Sequence, residues 1–108
     1  MIEMQIRITC TVVPHDGETN EDLERSFDAT ADAFYELSGI WDQSIDFDLS
    51  EKTMAFDLSL EAASQVDGVT RAYSCVRSAI HAAGGHTPGW EHQVSMDMHD
   101  VENADLPA

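Results

Sequence analysis

The residues best placed to bind a ligand lie in a loop near the end of the chain, the segment GGHTPGW at 84–90. Loops carry binding sites more often than strands do, and this one holds His86 and Trp90, with His92 shortly after. We therefore predict a small ligand pocket formed by His86, Trp90 and His92. A structural interpretation stays open, in which the glycines end a helix and the turn seats Trp90 against the core. In that interpretation His92 lies on the inner side of a strand and bonds to the backbone.

Arg7 is the fourth candidate ligand-binding residue, because it is a lone cation among acids on a predicted central strand. Opposite charges that face each other across a sheet attract weakly when exposed, so we expect Arg7 to pair with Asp57 or Asp97. A second interpretation gathers Asp46, Asp48 and Asp57 around Mg²⁺ or Ca²⁺, which prefer oxygen ligands. No calcium-loop motif accompanies these aspartates, and the sequence predicts no metal site.

Motifs for catalysis, dinucleotide binding or structural zinc are absent from the sequence. The five histidines follow no zinc-ligand spacing, and the two cysteines, Cys10 and Cys75, are far apart in the chain. Both cysteines are predicted to be reduced thiols, although the sequence leaves their pairing open. We expect no cofactor, and an enzymatic activity is left open but has no support.

The charge balance is strongly acidic: 21 aspartates and glutamates oppose 5 lysines and arginines, for a formal net charge of −16. Such a surface repels nucleic-acid phosphates and would attract basic proteins or cations, so nucleic acid is not expected and a basic protein partner is left open. The simplest interpretation is a solvation trait shared across the host's proteins, and a lesser alternative is mimicry of nucleic acid. No apolar run is long enough to predict a membrane span, and the N-terminal residues lack a signal-peptide pattern, so we expect a cytoplasmic protein.

Two hydrophobic periods alternate along the chain and predict its elements. A period of two, as in residues 2–12, indicates a half-buried strand, and a spacing of three or four indicates a helix with one apolar side. Residues 50–52 are short enough to form a hairpin between two strands. The predicted elements are strands at 2–12, 45–49, 54–60 and 90–98, and helices at 23–37 and 69–83.

The order β-α-β-β-α-β predicts an α+β domain of ferredoxin-like plan, a four-stranded antiparallel sheet of order 4-1-3-2 with two helices on one face. We expect one domain over residues 1–99 and a frayed acidic tail over 100–108. The other sheet face is then open, and because its central strands carry no aromatic residue, base stacking on RNA is not expected. The leading prediction is a non-enzymatic interaction module that forms homo-oligomers through this face or a sheet edge.

The segment VRSAIHAAGGHTPGWE, residues 76–91, resembles one found in small uncharacterised actinobacterial proteins. The resemblance covers the end of the second predicted helix and the loop beyond it. It implies a bacterial, cytoplasmic protein of ferredoxin-like plan, and it implies no activity. The alternative function, a ligand-binding or enzymatic domain that uses the His86 and Trp90 loop, therefore rests on the residues alone.

Overall fold

Alternating strands and two amphipathic helices build a sheet that is covered on one side. The computed structural model describes residues 1–85 and 89–103. Its fold is α+β, and each strand runs antiparallel to its neighbours in a four-stranded sheet. The elements are β1 (Ile2–Val12), α1 (Asn20–Tyr35), β2 (Trp41–Asp48), β3 (Thr53–Ala62), α2 (Gln65–Ala83), α3 (Trp90–Gln93) and β4 (Val94–Asn103).

The sheet has the strand order β2-β3-β1-β4, which is 4-1-3-2 when it is counted from the β4 edge. The even-numbered side chains of β1, from Met4 to Val12, are buried together with Phe27 of α1 and Val76 of α2, so both long helices cover the same face. The element order departs from the prediction in having a third, short helix before β4. In the parts of the chain that the structure describes, no helix combines the length and hydropathy needed to cross a bilayer.

Side-chain caps determine where both long helices begin. The Thr19 hydroxyl accepts a hydrogen bond from the Asp22 amide at 3.1 Å, and the Asp22 carboxylate accepts one from the Thr19 amide at 3.0 Å. These two bonds form a capping box, which satisfies amides that the first helical turn leaves without partners. At the start of α2, the Ser64 hydroxyl accepts from the Asp67 amide at 3.1 Å, as its position in the sequence predicts.

Gly68 allows α2 to lie close against the sheet. A Cβ atom at this position would stand 2.3 Å from Met4 Sδ and 3.3 Å from Leu60 Cδ1, both of which belong to buried core side chains. Glycine in a helix interior costs about 1 kcal/mol relative to alanine, so its use here follows from packing rather than from helix propensity.

The segment from Trp90 onward differs from the predicted strand 90–98. Trp90 opens α3 instead, because its indole is buried in the core, where Nε1 donates a hydrogen bond to Thr30 Oγ1 at 2.9 Å. The strand starts only at Val94 and continues to Asn103, paired with β1. The first four residues of the predicted frayed tail, 100–103, therefore belong to the sheet, and residues 104–108 lie outside the described part of the chain.

Candidate functional site

The candidate site lies on the face of the sheet opposite the two long helices, which we call the open face. The odd-numbered side chains of β1 and β3 point to it, because their even-numbered neighbours fill the core. No described helix packs on this side of the sheet. Arg7 stands near its centre, with Asp57 of β3 opposite on one side and Asp100 of β4 opposite on the other.

Arg7 makes a forked ion pair with Asp57 and a further contact with Asp46. Its Nε lies 3.0 Å from Asp57 Oδ1, and its Nη2 lies 2.9 Å from Asp57 Oδ2 and 3.0 Å from Asp46 Oδ2. The hydrogen bond and the negative charge of Asp57 raise the pKa of Arg7, so the guanidinium is charged at any pH at which the protein folds. The expected pairing of Arg7 with Asp57 is present, whereas Asp97 accepts a hydrogen bond from the Thr11 hydroxyl.

An irregularity in β2 brings a tryptophan to the open face. Ser44 pairs with Asp57 and Trp41 pairs with Ser59, so three steps along β2 span only two steps along β3. Asp42 accommodates the extra residue of β2 by adopting a left-handed backbone conformation, with a φ of 52°. Because opposite residues of an antiparallel pair share a face, Trp41 lies on the open face beside Ser59. Ser59 is only 3% exposed although it points away from the core, as expected when an indole neighbours it.

A second irregularity, in β4, reverses the side-chain parity of the end of that strand. Met96 pairs with Cys10 and Met98 with Thr9, which leaves Asp97 as an extra residue. Strict alternation along the predicted strand 90–98 turns Met98 inward with Val94 and Met96, but Met98 shares the face of Thr9 and is 54% exposed. His99 is turned to the helix side, where its Nδ1 lies 2.9 Å from the Tyr73 hydroxyl.

Around Arg7 the open face forms a shallow concavity of about 460 Å³. Asp100 lies opposite Arg7 and Glu102 opposite Gln5 in the strand register, so β4 contributes one wall of acidic side chains. Asp42 and Asp57 contribute carboxylates from the other side. Four carboxylates thus line the concavity together with one guanidinium, which is already paired with Asp57 and with Asp46 beside it. The concavity has excess negative charge and can accept hydrogen bonds and positive charge from a ligand.

The three aspartates considered for Mg²⁺ or Ca²⁺ do not converge. Asp46 and Asp57 both accept hydrogen bonds from Arg7, whose charge competes with a cation. Asp48 serves the β2–β3 turn instead, since its Oδ1 accepts from the Ser50 amide at 3.0 Å and the Glu51 amide at 2.9 Å. These bonds lower the pKa of Asp48, the Glu51 amide most strongly. Over residues 1–85 and 89–103, no three histidine, cysteine or acidic side chains gather in an arrangement that would hold a metal ion.

The predicted pocket of His86, Trp90 and His92 is not assembled from its described members. Trp90 is fully buried among core residues, with its one polar atom bonded to Thr30. The His92 side chain is 85% exposed and its Nε2 lies 3.8 Å from Glu91 Oε1. His86 lies outside the described residues. Of the three predicted site residues that the structure describes, Trp90 is buried, whereas Arg7 and His92 have exposed polar side chains.

Both cysteines are free thiols and neither belongs to the open-face site. Cys10 lies in the core, where burial raises its pKa to about 12 and keeps it in the protonated, unreactive form. Burial also raises the pKa of Cys75, more than the nearby Arg71 lowers it.

Sequence reasoning missed four residues of this site: Trp41, Asp42, Asp100 and Glu102. Position 41 is odd-numbered like Ile45 of β2, whose side chain points to the core. Strict alternation would therefore place Trp41 on the core side and not on the open face. Asp100 follows the irregularity in β4 and was assigned to the tail. The one sign of these residues in the sequence is the polar stretch around Asp42, which interrupts the apolar alternation of β2. This stretch does not reveal that the strand contains an irregularity.

The chain was compared with protein-family models, with curated proteins and with solved structures, and none of the three comparisons found a match.

Proposed function

We propose that this chain is a ferredoxin-like, non-enzymatic binding module whose open face holds a cationic segment of another protein. The observation that carries the proposal is the concavity around Arg7, which four carboxylates line together with a guanidinium that is already paired. Lysine and arginine side chains of a partner supply the positive charges and hydrogen-bond donors that this concavity lacks.

Arg7 orients a carboxylate of the site, whereas the net charge of the site is negative and comes from the acids. By bonding to both Asp57 oxygens, it holds that carboxylate in one orientation across the sheet. Asp42, Asp100 and Glu102 have no hydrogen-bond or ion-pair partner among the described residues, so they are available to a partner. An ion pair formed on a solvated surface contributes about 0–1 kcal/mol, so several such contacts are needed for useful affinity.

Trp41 adds an aromatic surface next to the acidic concavity. A cation that sits over an indole gains about 0.5–1 kcal/mol at an exposed site, and arginine is the commoner partner. The combination of carboxylates and an indole on one sheet face therefore favours a basic segment that contains arginine.

Self-association through the open face is the second candidate, and the apolar groups of Trp41 and Met98 favour it. Two copies that meet through this face also bring Asp100 and Glu102 of one copy near the acids of the other, which repel at low ionic strength. Salt therefore separates the two candidates: it weakens binding of a basic segment and strengthens self-association. Multi-angle light scattering at low and high salt measures the second effect directly.

The proposal is tested by titrating the ¹⁵N-labelled protein with a nona-arginine peptide and recording amide shifts. We expect shifts centred on β1, β3 and β4 around Arg7, and a dissociation constant that weakens as salt is added. The triple variant Asp42→Asn, Asp100→Asn, Glu102→Gln removes three charges from the concavity and should weaken binding about tenfold or more.

A matched control removes the same number of charges from the outer side of α1, with Glu21→Gln, Glu24→Gln and Asp28→Asn. If binding depends only on net charge, both triple variants lose affinity equally, and the open face is not the site. Shifts that map to the helices in the unmodified protein would contradict the proposal independently of any substitution.

A further inference from the structure

A groove of about 580 Å³ runs between α2 and β4 on the helix-covered side of the molecule. It exists because two helices cover four strands incompletely. The inward side chains of the central strands are fully buried, but Val94 and Met96 of the edge strand β4 are only half-buried. Together with Ile80 of α2, these two side chains form the apolar floor of the groove.

One side of the groove is a row of hydrogen-bond donors on α2. Ser74, Arg77 and Ser78 line it, and their i, i+3, i+4 spacing places them on one side of the helix. None of the three side chains has a hydrogen-bond or ion-pair partner among the described residues. We call these three residues the donor row.

Arg77 differs from every other lysine or arginine in the described parts of the chain, because each of the others has a partner. Arg7 pairs with Asp57, and Arg25 pairs with Asp22. Lys52 donates to the Asn20 side chain and to a backbone carbonyl, and Arg71 donates to the carbonyl of Glu61. Arg77 is exposed and has no partner among the described residues in a chain of net charge −16, and its place beside an apolar floor suits an anion with an apolar body.

Polar contacts between α2 and the last part of the chain bound the groove. At one end His81 Nδ1 lies 2.7 Å from Glu91 Oε2, which joins α2 to α3. Beyond Met96, the Tyr73 hydroxyl meets His99 of β4 at 2.9 Å. Glu91 and His92 also line this end of the groove, where His92 Nε2 lies 3.8 Å from Glu91 Oε1. Glu91 therefore contacts His81 at one end of the groove and does not pair with the donor row.

We propose that this groove binds a small amphipathic carboxylate, whose charged head meets the donor row and whose apolar body lies along the floor. Its volume falls within the range of about 300–1,000 Å³ that is usual for small-molecule sites. Arginine binds carboxylates through a planar fork of donors, and serine hydroxyls on the same side of α2 add further donors. The site is independent of the open face, since the sheet separates the two.

The test uses octanoate as the probe, with octylammonium and butyrate as controls for charge and for chain length. Amide shifts of the ¹⁵N-labelled protein should move around residues 74–81 and 94–96 with millimolar octanoate. Octylammonium should move these signals less, because the Arg77 guanidinium repels its ammonium group and binds the carboxylate of octanoate. Butyrate should bind more weakly, since it covers less of the floor.

Two variants separate the charged and apolar parts of the groove. Arg77→Gln should weaken octanoate binding about tenfold or more, because a hydrogen bond to a charged group is lost. Met96→Gln keeps the side-chain length, makes the floor polar and should also weaken binding. Arg25→Gln, which removes an exposed arginine from α1, is the matched control and should bind octanoate as the unmodified protein does.

Three results would overturn the inference: no shifts with octanoate, shifts confined to other parts of the chain, or equal octanoate affinity of the Arg77→Gln and unmodified proteins. Equal binding of octanoate and octylammonium in the groove would show that only the apolar floor contributes. All four results can be obtained whether or not the open face binds basic segments, so the two proposals fail separately.

Discussion

Trp90 is a structural anchor, and the reason lies in its single polar atom. Among the described residues the indole is the largest fully buried side chain, and its Nε1 donates to Thr30 Oγ1, which in turn donates to the Ser26 carbonyl at 2.7 Å. A buried indole N–H without an acceptor is costly, so this short chain of bonds is what allows the tryptophan to enter the core. The same loop composition, with its glycines and its histidine, is compatible with a pocket, and the sequence alone does not distinguish the two.

Replacement of Thr30 with valine tests this anchoring role. The shape of the side chain is kept, but the buried indole N–H loses its acceptor, so we expect the free energy of unfolding to fall by about 1–3 kcal/mol. Urea denaturation of Thr30→Val, Trp90→Phe and the double variant measures the coupling. The double variant should lose less than the sum of the single losses, and strict additivity would show that the hydrogen bond contributes nothing.

At the scale of elements, most of the fold follows from periodicity, and the site does not. Alternation along residues 2–12 and helical spacing around Phe27 and Val76 correctly predict strands, helices and the buried side of each. One extra residue in a strand reverses the face of every side chain beyond it, and no local pattern marks where this occurs. Met98 was therefore placed on the core side, Trp41 fell outside the predicted strand 45–49, and the open face was predicted without its two apolar groups.

The contact between α2 and β1 gives a prediction that belongs to the packing of elements. Gly68→Ala improves helix propensity by about 1 kcal/mol but forces a methyl group toward Met4 and Leu60. Overpacking of a core costs about 1–3 kcal/mol, so we expect a net loss of stability. Combining Gly68→Ala with Met4→Ala opens space for the new methyl group and should lower stability less than the two single losses together. A stability gain in Gly68→Ala alone, measured by urea denaturation, would show that α2 moves away from the sheet at little cost.

At the scale of the whole molecule, the charged side chains are unevenly distributed between the two sides of the sheet. The open face concentrates carboxylates around one paired arginine, whereas the groove beside α2 contains the one unpaired arginine of the described residues. The two surfaces lie on opposite sides of the sheet and select ligands of opposite charge. A general solvation trait would account for acids spread over the whole surface, but it would not account for this separation of an acidic concavity from an arginine beside an apolar groove.

The net charge of −16 also predicts how salt affects stability. Like charges repel in the folded state, and raising the ionic strength from 0.01 M to 0.15 M shortens the Debye length from about 30 Å to about 8 Å. Added sodium chloride should therefore raise the melting temperature, by about 4–8 °C for each kcal/mol of repulsion that is relieved. Scanning calorimetry across this range measures the effect. The variant Glu21→Gln, Glu24→Gln, Asp28→Asn carries three fewer negative charges and should gain less from salt. A melting temperature that stays constant or falls would show that the acids are already neutralised by pairing in the folded protein.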